Sequence, residues 1–431
     1  MWNFRAGEGT RVLFGEAERA KTGQVTLQGH AESDLVVEVV RAEALFDLPA
    51  ADWDDLTAQA LDPNPFYARP CLLAGLETLD RDTRLRALLV RTAAGQLVGL
   101  FPFRLGRLPP RVAVGAVNIY QMCGHPLIHR QFATQVTAHW FAAMRQGTIP
   151  RRWRFPHVDL ESGFALLCGD YLQAANYDLT PLSSYPRPRL RRLPGGFEVH
   201  ANTVLAKGRL KELQRTLRRL REAGEVQLER VERPEAVRQR IEDFLAIEHA
   251  GWKGEAGTSF LAHPEHARFL RAAVADNAGV SIDSLLLDGR PIALSINLQA
   301  GALMFTPKCA YDEAYRRFSP GLILEYLVIE RFYASTDPEE MDAATTVGGH
   351  LVQGLWNEQR TIGMVLVGPL SPLTRGVAAG YRLGVSMRQR LRAALGDGLV
   401  ALARRIRRHN PELWARVQSF GQMATCLVLY I

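Results

Sequence analysis

Residues 306–332 read TPKCAYDEAYRRFSPGLILEYLVIERF and set Lys308, the Asp312-Glu313 pair and the Arg316-Arg317 pair between a short apolar run and a long one. The Ser319-Pro320 step predicts a helix start, with serine as the N-cap and proline at the first helical position. The helix beyond is apolar on nearly every side, which predicts that it is buried. First-turn N–H groups have no intrahelical partner and lie at the positive end of the helix dipole, so they attract anions. Pro320 lacks an N–H, which leaves Phe318, Ser319, Gly321 and Leu322 as donors beside the two arginines. That set suits a pyrophosphate.

Other residues have the right types for chemistry nearby. Trp252 and Lys253 lie in the Gly-rich stretch GWKGEAGTSF after an apparent helix, VRQRIEDFLAIEHA, and offer an aromatic face and a charge to line an acceptor pocket. Asp342 opens an expected strand after the buried helix, and His350 follows Gly348-Gly349 with an intrinsic pKa suited to proton transfer. Glu325, one turn into the apolar helix, is either a buried base or a carboxylate favoured by the helix N-terminus. His125 with His129 and His263 with His266 have helix-like ligand spacing, but no acidic H-E-x-x-H partner or cysteine completes either pair, so no metal is expected.

Elements must position these groups, and the composition permits a large core. The chain has 431 residues, 47% apolar and 23% charged, which excludes disordered and fibrous classes and predicts two domains with an appendage. The net charge of +7 comes from 52 Lys+Arg, mostly arginine, against 45 Asp+Glu, and points to an anionic ligand or surface rather than to a specific nucleic acid. Five cysteines at irregular spacings fit a reducing compartment. With no signal peptide and no membrane-length apolar run, a cytoplasmic protein is expected.

Two stretches, LRALLVRTAAGQLVGLFPFRLG and SIDSLLLDGRPIALSINLQAG, read as hairpins, the second with Asp288-Gly289 at its turn. Each is followed by a strand-like piece ending in polar residues and then by an apolar helix pattern, which predicts a duplicated α/β unit. The expected division is a lead-in over residues 1–35, a first domain over 36–185, a Pro/Arg linker and basic amphipathic helix over 186–224, a second domain over 225–368, and an Arg-rich helical tail over 369–431. The tail has two readings. Its apolar face packs on the second domain, or it lies as a peripheral contact on the anionic inner face of a membrane.

In this order the pieces resemble the GNAT acyltransferase superfamily, whose fourth strand leads into an arginine- and glycine-rich turn that holds the pyrophosphate of coenzyme A; YRRFSPGLILEYL matches it. Together with GWKGEAGTSF, LLLDGRPIALSINL and MDAATTVGGHLVQGLWNEQR, the chain is similar to the CelD-type branch, acetyltransferases associated with cellulose and exopolysaccharide biosynthesis. That branch is related to the FemAB aminoacyltransferases through tandem GNAT-like domains. The resemblance covers most of residues 36–368 and implies an α/β fold of two such domains, with mixed central sheets flanked by helices.

It also implies an acyl-CoA co-substrate such as acetyl-CoA, without a metal, and a small-molecule amine acceptor on a sugar, nucleotide sugar or metabolite. The implied chemistry is direct attack of the amine on a thioester, with a base, an oxyanion donor and an acid. Lys308 would then stand beside the reacting carbonyl, or be a surface lysine paired with Asp312 or Glu313, and Asp342 or His350 would serve as the base. Ala343-Ala344 stand where the branch often has Ser-Cys, which argues against a cysteine nucleophile. FemAB-like transfer from aminoacyl-tRNA and a non-catalytic binding module in polysaccharide assembly stay open beside this reading.

Overall fold

The computed structural model describes residues 35–80, 84–106, 110–345, 352–387 and 390. In the first half, strands run β1 (Leu35–Arg41), β2 (Leu85–Thr92), β3 (Leu97–Leu105), β4 (Ala113–Gly115), β5 (Leu127–Ile128), β6 (Trp153–Asp159) and β7 (Tyr177–Arg191). In the second half they are β8 (Val226–Val231), β9 (Val280–Leu287), β10 (Arg290–Ala300), β11 (Leu303–Tyr311), β12 (Glu340–Asp342) and β13 (Glu358–Pro369). All belong to one mixed sheet, ordered β1-β2-β3-β4-β6-β13-β7-β12-β11-β10-β9-β8, with β5 against β3.

The order contains the duplication. Three antiparallel steps and a parallel one build β1-β2-β3-β4-β6, and the same steps build β8-β9-β10-β11-β12. The parallel steps are bridged by the helices Ala133–Gln146 and Pro320–Ala334. Each half then surrenders its last strand: β13 pairs with β6 of the first half, and β7 pairs with β12 of the second. β7 and β13 are antiparallel to each other from Tyr177↔Pro369 to Arg189↔Glu358.

Helices cover both faces over β2, β3, β9 and β10, whose residues are therefore buried in near-continuous runs rather than alternately. Leu88 and Val90 point into a core around Trp140 and Trp153, while Ala87 and Leu89 point into one around Trp53. In the second half, Leu285 and Leu287 pack under the helix Pro320–Ala334, and Ile282, Leu294 and Ile296 pack on the opposite face with Phe244 and Phe269. Phe66 and Cys71 of the first half enter this last core and lock the halves together. Asp288 (φ 50°) and Gly289 (φ 77°) both adopt the left-handed backbone that the tight β9-β10 turn requires.

The expected linker is a correction. The Pro/Arg stretch from residue 186 onward is the second part of β7, in the middle of the sheet. Prolines are tolerated there because Pro188 directs its carbonyl to the Ala343 N–H, on the side where β12 has already ended, so the absent proline N–H interrupts no ladder bond. The basic helix Lys207–Ala223 forms as expected, burying Leu213, Leu217 and Leu220. Of the tail, residues 372–387 are helical. They pack Ala378, Val377 and Tyr381 against Leu182 and Leu366, and leave Leu373, Leu383 and Met387 exposed. The lead-in up to residue 34 and the tail from residue 391 lie outside the described residues. Among the described residues no helix is long and apolar enough to cross a membrane.

Candidate active site

The second half has a fork. β11 and β12 pair in parallel only from Leu303↔Glu340 to Phe305↔Asp342; Asp342 therefore closes β12 rather than opening it. β11 runs on to Tyr311 against β10, and beyond Phe305 no described strand lies along its other edge. A bulge sits at the point of divergence, since Leu298 faces Phe305 while Ile296 faces Lys308. The extra residue shifts the alternation by one and turns Lys308 to the same face as Phe305.

On that face the Lys308 ammonium lies 4.9 Å from the Tyr120 ring centroid and 5.5 Å from that of Phe260. Tyr120, from the first half, stacks between Phe260 (4.6 Å) and Phe269 (5.2 Å), and its hydroxyl is 2.9 Å from His266 Nδ1. Burial and then the neighbouring Lys253 hold the Lys308 pKa below the usual lysine range. Lys308 thus rests on aromatic rings, not on Asp312 or Glu313; the Asp312 side chain instead accepts from the Ala314 N–H at 2.9 Å.

Trp252 and Lys253 begin a short helix, Trp252–Glu255, where a loop was expected. Trp252 is 56% exposed, while its backbone N–H donates to Glu313 Oε1 at 2.9 Å. Lys253 donates to the buried Glu248 at 2.8 Å and lies 3.5 Å from the Cys309 carbonyl on β11. Lys253, Lys308 and Trp252 therefore gather around the unpaired part of β11 and the turn that follows it.

That turn is a 3-10 segment, Glu313–Phe318, leading to the helix Pro320–Ala334. Arg316 and Arg317 are exposed, with the Arg317 guanidinium 4.7 Å over the Phe318 ring. Ser319 departs from expectation: it is left-handed (φ 47°, ψ 54°) and makes no side-chain cap. Its N–H donates to Arg316 O and its carbonyl accepts from the Leu322 N–H, so two of the expected anion donors are already engaged. Phe318 is buried in the core. The Gly321 N–H has no backbone partner among the described residues.

On the other side of the fork a cavity of about 360 Å³ opens over the central strands. Its floor is a charged sheet face: Asp159 of β6, Arg360 of β13, Arg187 and Arg189 of β7, and Glu340 and Asp342 of β12. Asp342 is 0% exposed and lies 3.5 Å from Arg187 and 3.3 Å from Arg360. Arg360 also meets Asp159 at 3.2 Å and pairs with Glu340. Burial pushes the Asp342 carboxyl up, and Arg187 pulls against it. Asp342 Oδ2 and Arg360 Nε both lack a partner in hydrogen-bond geometry.

Arg187 donates to the Tyr185 hydroxyl at 2.8 Å, which lies 3.0 Å from His157 Nδ1; burial and Arg187 hold the His157 pKa down to about 4, leaving a neutral acceptor. Phe305 and Asp342, the last paired residues of the fork, line this cavity. Cavity and open edge thus meet at one point. His350 lies outside the described residues.

Glu325 is fully buried on the opposite face of the sheet, accepting from Trp356 Nε1 at 2.6 Å, with its carboxyl pushed up by burial to about 7. Sequence reasoning missed Arg187, Tyr120 and Glu248, and weighed His266 only as half of a metal-ligand pair. Arg187, Arg189 and Arg191 carried a signal in their spacing of two, the period of one strand face. Among the described residues no group of three metal-ligating side chains gathers.

Residues 207–345 match the family model described as an acetyltransferase (GNAT) domain. No curated protein matches the chain. Among solved structures, a conserved protein of unknown function from Bacteroides thetaiotaomicron is 10% identical with a TM-score of 0.47, over 74% of this chain and 98% of that one. FemX is 10% identical with a TM-score of 0.46, over 77% and 98%. A tandem GNAT protein from the clavulanic acid biosynthesis pathway is 15% identical with a TM-score of 0.35, over 78% and 99%.

Proposed function

We propose that this GNAT domain is an acyl-CoA-dependent N-acyltransferase of the CelD type, which moves an acetyl or other acyl group to an amine of a sugar, nucleotide sugar or small metabolite. The observation that carries the reading is the fork. An unpaired strand edge leads directly to two exposed arginines and a helix N-terminus, and a polar cavity of acceptor size adjoins its root.

Coenzyme A would supply the activated acyl carbonyl. Arg316 and Arg317 are exposed and would hold its pyrophosphate, with the Gly321 N–H at the positive helix end. Beside residues 306–311 no described strand occupies the outer edge, so apart from the Cys309 carbonyl, which Lys253 approaches, the main chain there is open to an extended ligand. Lys308 brings a cation beside that edge to stabilise negative charge on the carbonyl oxygen. In the cavity, Asp342 would take the proton from the acceptor amine as the N–C bond forms and the thioester C–S bond breaks, coenzyme A leaving as a thiolate that solvent protonates; burial raises the basicity of Asp342, and Arg187 and the Ala344 N–H at 2.7 Å hold its orientation.

A second reading, aminoacyl-tRNA as donor, is favoured by the basic helix Lys207–Ala223, whose arginines and lysines face solvent around a buried leucine stripe. Calorimetry on the full chain separates the two. Acetyl-CoA is expected to bind, and at about 100 times its Kd to add about 2.7 kcal/mol of stability, read as a higher Tm. Arg316→Glu with Arg317→Glu is expected to weaken that binding at least tenfold, with the Tm of the free protein unchanged because both side chains are exposed. Absence of heat with every acyl-CoA would overturn the proposal and leave tRNA as the donor to test.

A further inference from the structure

Beside the bulge, on the face to which Lys308 turns, lies a second and smaller cavity of about 40 Å³. Its walls are Tyr120, Phe260, Phe269, Leu270 and Ile296, and Pro307 of the bulge forms part of its rim. Lys308 is its only formally charged lining residue. It penetrates between the halves, with Tyr120 from the first and Phe260, Phe269 and Leu270 from the second. Such a slot excludes amines, phosphates and sugars, because burying a polar group without a partner costs free energy that an aliphatic group does not incur.

We infer that this slot receives the hydrocarbon chain of the donated acyl group, and that it fits linear aliphatic chains of about four carbons. The inference rests on the acyl-CoA reading above and extends it to the identity of the acyl group. Pro307 and Lys308 belong both to the slot and to the unpaired segment of β11, so a carbonyl held at that edge has its chain directed at the opening. A single water-sized sphere needs roughly 10–15 Å³ by the same measure, so the slot admits about three heavy atoms beyond the carbonyl. The aromatic walls are fixed by mutual stacking, which makes the length limit sharp rather than elastic.

Calorimetry with coenzyme A, acetyl-CoA, butanoyl-CoA and octanoyl-CoA tests this on the full chain. Each buried methylene is expected to tighten binding about fourfold, so butanoyl-CoA should bind about 15 times more tightly than acetyl-CoA, with no further gain for octanoyl-CoA. Ala273→Leu, which fills the slot from the helix Pro264–Ala275, is expected to erase the butanoyl gain and leave acetyl-CoA affinity unchanged. Leu270→Ala, which enlarges the slot, should extend the gain to octanoyl-CoA, and it keeps the test available if the first variant does not fold. Equal affinity from acetyl to octanoyl in the unaltered protein would overturn the slot alone. Failure of coenzyme A itself to bind would overturn the donor reading and the slot with it.

Discussion

Arg187→Met is expected to lower unfolding stability by about 3–5 kcal/mol, measured by urea denaturation at pH 7. Arg187 is 1% exposed and comes from a strand of the first half, yet its partners Asp342 and Thr345 belong to the second. Its guanidinium donates through Nε to Thr345 O at 3.1 Å and through Nη2 to Tyr185 at 2.8 Å, and lies 3.5 Å from a carboxylate with no exposure. Removing it leaves the Asp342 charge buried with Arg360 alone, and an uncompensated buried charge costs more than the pair contributes. Arg187→Met combined with Asp342→Leu should recover most of the loss. A single variant within 1 kcal/mol of the unaltered protein would contradict this account of the centre.

Glu325→Gln is expected to remove about 3 kcal/mol of pH dependence between pH 4.5 and 7. Glu325 holds its proton up to about 7 in the folded protein, against an ordinary value of 4.5, because burial disfavours the carboxylate. Between those values the folded state binds a proton that the unfolded state releases. Its contribution is therefore fully present below 4.5 and is lost as pH rises through 7. Glutamine keeps an oxygen for Trp356 Nε1 and never ionises, so the variant should gain relative stability from pH 4.5 to about 7 and level off above it. Parallel stability curves for the two proteins from pH 4 to 8 would place the Glu325 ionisation outside this range.

Much of the second half is legible because its signals are local. Asp288-Gly289 declares a tight turn, the Leu210–Leu213–Leu217–Leu220 stripe declares a helix, and the apolar run after Pro320 declares a buried one. The charged cavity is not local. Arg187 and Asp342 meet only because β7 and β12 are neighbours, a pairing between segments with no shared sequence pattern. Three prolines in β7 also hide the strand, since nothing in the sequence reveals that the β12 ladder ends beside Pro188. Tyr120 lies in an irregular segment between β4 and β5, and only the stacking of Phe260 and Phe269 from the other half marks it out.

The exchange of final strands has a consequence for how the molecule is made. On the ribosome, β6 emerges with one flank bare, and the strand that covers it, β13, is translated roughly 200 residues later. At ordinary elongation rates of about 5–20 residues per second, that edge waits on the order of 10–40 seconds for its partner. The amino-terminal half is thus born as an incomplete sheet with an unpaired border that stays open until β13 has been made. A nascent chain arrested before residue 358 should be protease-sensitive at β6 and β7, and one arrested after β13 has cleared the exit tunnel should not, so maturation of both halves becomes a single late event.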